Sequence, residues 1–131
     1  MHTLHHEFAH ILHQTKDYPA EFKLISAGKY VATWQELKED EAAQLGFISP
    51  YASGEPNEDF VETLAFYVTL SDAEWQAKLD LAGEEGAAAI TLKLKYVKEY
   101  MLNTWKIDLD DVKKVVKRRF DEIQYIDWIN L

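Results

Sequence analysis

Two histidines four residues apart, with a glutamate directly after the first, constrain this chain more than any other feature. They are His6, Glu7 and His10 in LHHEFAHILHQ, the pattern His-Glu-x-x-His. On a helix, positions i and i+4 share a face, so His6 and His10 can offer imidazoles to one ion. Glu7 lies about 100° further round and can reach a water on that ion without ligating it. The spacing predicts a helix over 3–16. Leu4, Phe8, Ile11 and Leu12 fall at i, i+4, i+7 and i+8, a stripe expected to face the core. His6, His10 and His13 centre on the opposite face, which is expected to look into a cleft. Two solvated histidines are the plain alternative for so short a motif. A catalytic zinc also needs a third protein ligand besides water.

All five histidines lie in the first 13 residues, and there is no cysteine. The missing thiols exclude disulfides, thiolate ligands, cysteine nucleophiles and a lipidated cysteine. The net charge of −9 argues against nucleic acid as a partner. The one basic cluster, KKVVKRR at 113–119, sits in a helical pattern flanked by acids and reads as a solvated face. No run of about 18 apolar residues is present, so no membrane-spanning segment is expected. No signal-peptide pattern precedes the motif. The 131 residues suit one domain, 1–131. His6 stands too near the start for a strand or a substrate platform upstream. A fragment, or a domain whose N-terminal half lies elsewhere, is therefore expected.

Beyond the motif helix, Pro19 disfavours continuation. Residues 20–32 are mixed, with a short strand considered at Tyr30-Val31-Ala32. Thr33-x-x-Glu36 is a capping-box pattern that predicts a helix to about Leu45, stopped by Gly46. FISPYASGEPN, 47–57, reads as a loop. A long helix is predicted from about Asn57 to Leu70, with Phe60, Val61, Leu64, Tyr67 and Val68 as its apolar stripe. Ser71-x-x-Glu74 predicts another helix to about Ala82. Gly83 and Gly86 punctuate, and 87–104 continues at helical spacing. Asp108 is a plausible N-cap for a last helix over 109–124, and the tail YIDWINL is expected to pack back on the body. The fold class is mainly α, a zincin-like helical domain with at most one short strand.

Three places could supply the third ligand. His13 shares the histidine face but lies about 4.5 Å along the axis beyond His10. It is expected to be exposed, or to support a ligand by a hydrogen bond. Glu58 and Glu62, at i and i+4 on the second long helix, share a face roughly 140° from that helix's apolar stripe. They would repeat the arrangement of the first helix, with Glu58 as ligand and Glu62 holding the far nitrogen of a ligating imidazole. Two solvated glutamates near a helix N-terminus are the plain alternative. Given the upstream motif, the metal reading is favoured. Asp17, Glu55 and Asp59 are not singled out by their spacing. Tyr51, in the loop before the second helix, could donate to the oxyanion of a tetrahedral intermediate, though its spacing alone suits an ordinary packed tyrosine.

HEFAH followed by NEDFVE resembles the gluzincin arrangement, in which a glutamate on a downstream helix completes the zinc site. PYASGEPNEDFVETLAFY is similar to the lethal-factor-like branch, which also has a tyrosine seven residues ahead of its ligand glutamate. HHEFAHILHQ, FISPYAS and EDFVE resemble the zinc-binding metallopeptidases encoded beside glycan-uptake systems, also described as substrate import-associated zinc metallohydrolase lipoproteins. The likeness covers nearly the whole chain and corresponds to the later, catalytic part of such a protein. It implies zinc bound by His6, His10 and Glu58, Glu7 as general base, Tyr51 as oxyanion donor and Glu62 as the acid behind a ligand. It also implies a peptide or protein substrate, an outer-membrane uptake complex, and a periplasmic or cell-surface lipoprotein. Within these 131 residues neither the lipidated cysteine nor the N-terminal sheet subdomain of such relatives is expected.

The leading expectation is therefore amide hydrolysis by a zinc-activated water, with Glu7 taking and returning the proton. A zinc-binding component of an uptake system without turnover is the first rival. A helical interaction domain with no metal is the second.

Overall fold

The computed structural model describes residues 2–129, with side chains described through 123. The expected packing of the YIDWINL tail lies outside the described residues. Six helices follow in order among those described: α1 His2–Thr15, α2 Glu21–Ile25, α3 Glu39–Gln44, α4 Pro56–Thr69, α5 Asp72–Trp105 and α6 Leu109–Ile129. Short 3-10 turns at Trp34–Glu36 and Tyr51–Gly54 complete the list. The expectation of a mainly α fold holds. The strand considered at 30–32 does not form. Val31 N–H donates to Ser53 O at 2.8 Å, but one bond makes no ladder.

The helix expected from Thr33 is broken. Thr33 makes no side-chain cap and has φ −99°, ψ 40°, away from the extended backbone of an N-cap. Only a 3-10 turn results. Leu37 is then extended, and α3 begins anew at Glu39. Gly46 ends this segment with φ 94°, a left-handed conformation that glycine adopts without strain.

α4 starts with Pro56 in its first turn, where a missing N–H costs nothing. It is the central helix. Asp59 through Ala65 are all buried, as is Val68. Its expected one-sided stripe is thus wrong in width, because α1, α5 and α6 cover different sides of it. Phe60 is fully buried, stacked on Tyr18 with centroids 4.3 Å apart, and it meets Phe22 and Tyr100 edge-on.

α5 opens with the capping box read from the sequence: Glu74 N–H donates to Ser71 Oγ, and Ser71 N–H to Glu74 Oε1. Gly83 kinks it at φ 72°. Gly86 stays helical and lets α3 approach, since an added Cβ would lie 2.3 Å from Ala43 O. Asp108 Oδ1 accepts from Asp110 N–H at 2.9 Å and caps α6 as expected.

The orientation of α1 reverses the expectation. Leu12 is buried as expected, but Leu4, Phe8 and Ile11 are exposed, while His6, Ala9 and His13 are buried. The histidine face packs on α4, and Ala9, with no side chain beyond Cβ, allows the close approach. The reason is pairing. Imidazoles cost little to bury when carboxylates meet them, and α4 supplies two carboxylates on the matching face.

Candidate metal centre

The site is an interhelical seam. α1 presents His2, His6, His10 and His13 toward α4, and Glu58 and Glu62, one turn apart, face them. His6 Nε2 lies 3.1 Å from Glu58 Oε2, and His10 Nε2 lies 3.0 Å from Glu58 Oε1. Despite the distance, Glu58 Oε2 is buried with no aligned hydrogen-bond donor. Two imidazole nitrogens and a carboxylate thus crowd one point without satisfying one another. One ligand atom from each of His6, His10 and Glu58 lies within 4.8 Å of the others. Two nitrogens and one oxygen from three protein side chains suit zinc.

The far side of His6 is held by the second acid. His6 Nδ1–H donates to Glu62 Oε2 at 2.9 Å, which leaves Nε2 as the free lone pair. Glu62 also takes Ser49 Oγ–H at 3.0 Å and lies 2.8 Å from His2 Nε2. Burial works to raise its pKa, but the proximity of His2 and the bonds from His6 and Ser49 outweigh it and hold the carboxyl below its ordinary value. Ser49 Oγ accepts in turn from Ala52 N–H, tying Glu62 to the turn that carries Tyr51.

Tyr51 stands over the site, its ring 5.7 Å from that of His6 and edge-on to Trp34 at 4.9 Å. Burial, then the Glu58 charge, raise its pKa, so the phenol keeps its proton at neutral pH. Glu7 is largely exposed, with Oε1 3.9 Å from His6 Nε2. It borders the seam on the solvent side.

His13 is buried rather than exposed, and it does not reach the Glu58 point. Its Nε2 sits 2.9 Å from His10 Nδ1. Burial first, and the neighbouring His10 second, lower its pKa. Asp17 and Glu55 are exposed and join neither ligand group among the described residues. Asp59 is drawn the other way, toward Lys93 and Tyr30. A second group, His2, His6 and Glu62, also brings three ligand atoms together, but it needs His6 Nδ1, the nitrogen already committed to Glu62.

Sequence reasoning passed over His2, Ser49 and the Asp59–Lys93 pair. Lys93 did carry a signal. It falls at i+3 from Ile90 and i−4 from Val97, on the core face of α5.

The profile of a family described as "Putative zinc-binding metallo-peptidase" matches residues 1–110. A crystal structure of a "putative zinc-binding metallo-peptidase" from Bacteroides caccae is similar over 95% of this chain, at 48% identity and a TM-score of 0.92. The chain spans about half of that protein, 48% of its length. No curated protein matches.

Proposed function

We propose, from the premise that this chain belongs to the family of zinc-binding metallo-peptidases, that it carries a gluzincin-type centre hydrolysing peptide bonds. In this reading His6, His10 and Glu58 hold the zinc. The observation that supports it is the meeting of His6 Nε2, His10 Nε2 and the undersatisfied Glu58 carboxylate at one partly buried point. A bound zinc supplies Lewis acidity and lowers the pKa of a coordinated water toward about 7.

The chain's own residues do the rest. Glu62 fixes the His6 tautomer so that Nε2 faces the site. Glu7, exposed beside His6, accepts a proton from the attacking water and returns it to the leaving amine. Tyr51, kept protonated, donates a hydrogen bond to the oxyanion that forms when the carbonyl is attacked. No covalent enzyme intermediate is required. The exposure of Glu7 and Tyr51 gives an extended peptide access from the solvent side. The reading treats 1–131 as the catalytic helical part of a larger hydrolase. The uptake-complex and cell-surface placement come from the resemblance alone. No helix among the described residues is long and apolar enough to cross a membrane.

The test is a peptide-library digest with wild-type protein, chelated protein and Glu7→Gln. Cleavage that disappears on chelation and in zinc-loaded Glu7→Gln is expected. Full cleavage by Glu7→Gln would overturn the mechanism. Zinc retained with no cleavage by the wild type or by a longer form would favour the binding component.

A further inference from the structure

We infer that His13 is the positioning residue for His10, the hydrogen-bond acceptor that fixes which nitrogen His10 offers to the metal; this rests on the zinc reading above. His10 Nε2 faces Glu58 Oε1 at 3.0 Å, and His10 Nδ1 faces His13 Nε2 at 2.9 Å. Two ring nitrogens at that separation share a single proton. Two lone pairs would repel, and two N–H groups would clash. When His10 Nε2 holds a metal, the only N–H left on that ring is Nδ1–H. It must donate to His13 Nε2, which puts His13's own proton on Nδ1. One contact therefore sets both tautomers.

The packing supports a fixed role. His13 is 7% exposed. Its ring meets Tyr18 edge-on at 5.8 Å and Phe60 at 6.5 Å. Both aromatic rings belong to the core, so the imidazole has little freedom to swing away.

The two imidazoles of the centre are thus backed by unlike groups. His6 leans on a carboxylate from another helix, and His10 leans on a neutral ring one turn along its own. Charge makes the difference useful. Glu58 and Glu62 already bring two negative charges to a divalent ion. With Glu7 already bordering the site as a third acid, a further carboxylate at position 13 would overcompensate the ion and weaken its pull on a bound water. A neutral acceptor at position 13 orients His10 without adding charge.

The test is zinc affinity of the full chain at fixed pH, by competition with a chromogenic chelator. His13→Phe removes the acceptor and keeps an aromatic ring. His13→Gln places an amide oxygen near the position of Nε2. His13→Phe should bind zinc about 10-fold or more weakly, and His13→Gln should lie closer to wild type than to His13→Phe. Wild-type affinity in His13→Phe, or His13→Gln as weak as His13→Phe, would overturn the inference. Should the variants fail to fold, nitrogen-15 NMR of zinc-loaded wild type decides. A protonated His10 Nδ1 and an unprotonated His13 Nε2 are expected, and a proton on His13 Nε2 overturns it. His6→Ala separates the two levels. If it binds zinc as well as wild type, the zinc reading itself fails. If it binds weakly while His13→Phe does not, only the role of His13 is lost.

Discussion

Lys93 Nζ sits 2.8 Å from Asp59 Oδ2, and both side chains are completely buried. Asp59 adjoins Glu58 on α4, while Lys93 comes from α5, so this pair locks the helix that presents Glu58. Lys93 also donates to Gly46 O at 2.8 Å and lies over the Phe47 ring, and Tyr30 O–H donates to Asp59 Oδ2. Burial pushes the Asp59 pKa up and the Lys93 pKa down; each partner's charge opposes the other's shift.

Removing one partner strands the other. Lys93→Met should cost about 3–5 kcal/mol, the range for breaking a buried pair. The double variant Asp59→Leu with Lys93→Met should recover much of that loss. Urea unfolding of the metal-free protein measures both. A single-variant cost below about 1 kcal/mol would show that the pair is not desolvated as described.

Gly86→Ala should destabilise although alanine is the better helix former. The added Cβ meets the Ala43 carbonyl oxygen at 2.3 Å, and backbone does not yield as a side chain would. With a contact this short against backbone, the strain falls toward the upper end of about 1–3 kcal/mol and exceeds the helix-propensity gain of about 1 kcal/mol. A rise in melting temperature would contradict the close approach of α3 to α5.

Tyr51→Phe keeps the ring against His6 and Trp34 but deletes the donor. Zinc stoichiometry should be unchanged, while kcat on a cleaved peptide falls by about 10²-fold or more. Loss of zinc from Tyr51→Phe, or unchanged turnover, would remove Tyr51 from the mechanism.

The pH dependence of the metal-free protein should carry a Glu62 component. Its folded pKa lies below the ordinary 4.5. The stability it contributes is therefore fully present above about 4.5 and is lost as pH falls through the folded value. Between those limits Glu62→Gln should show a flatter decline in melting temperature than wild type. Parallel profiles would mean that His2, His6 and Ser49 around this carboxylate do not favour its ionised form.

Much of this arrangement was legible in the residues. The spacing of His6, Glu7 and His10, the Glu58–Glu62 pair and the Ser71–Glu74 box all specify local geometry, and local geometry follows from helical periodicity. What failed depended on neighbours far along the chain. The facing of α1 departs from its pattern because Leu4, Phe8 and Ile11 fall at the spacing of a core stripe yet lie exposed. That reading takes no account of three imidazoles, His2, His6 and His10, finding two carboxylates on α4. The breadth of α4's burial escaped notice because Asp59 and Thr63 interrupt its apolar pattern. Asp59 is buried only because Lys93, on a different helix, meets it. For His13 the spacing leaves exposure and a supporting hydrogen bond both open, because nothing in it specifies another imidazole as the partner.

The central claim is that His6, His10 and Glu58 converge on one ion. An anomalous difference map at the zinc edge, from crystals of zinc-loaded protein, tests it most directly. The expected result is a single strong peak within about 2.0–2.2 Å of His6 Nε2, His10 Nε2 and a Glu58 oxygen. No peak in zinc-saturated protein, or a peak seated instead between His2 and Glu62, would contradict it.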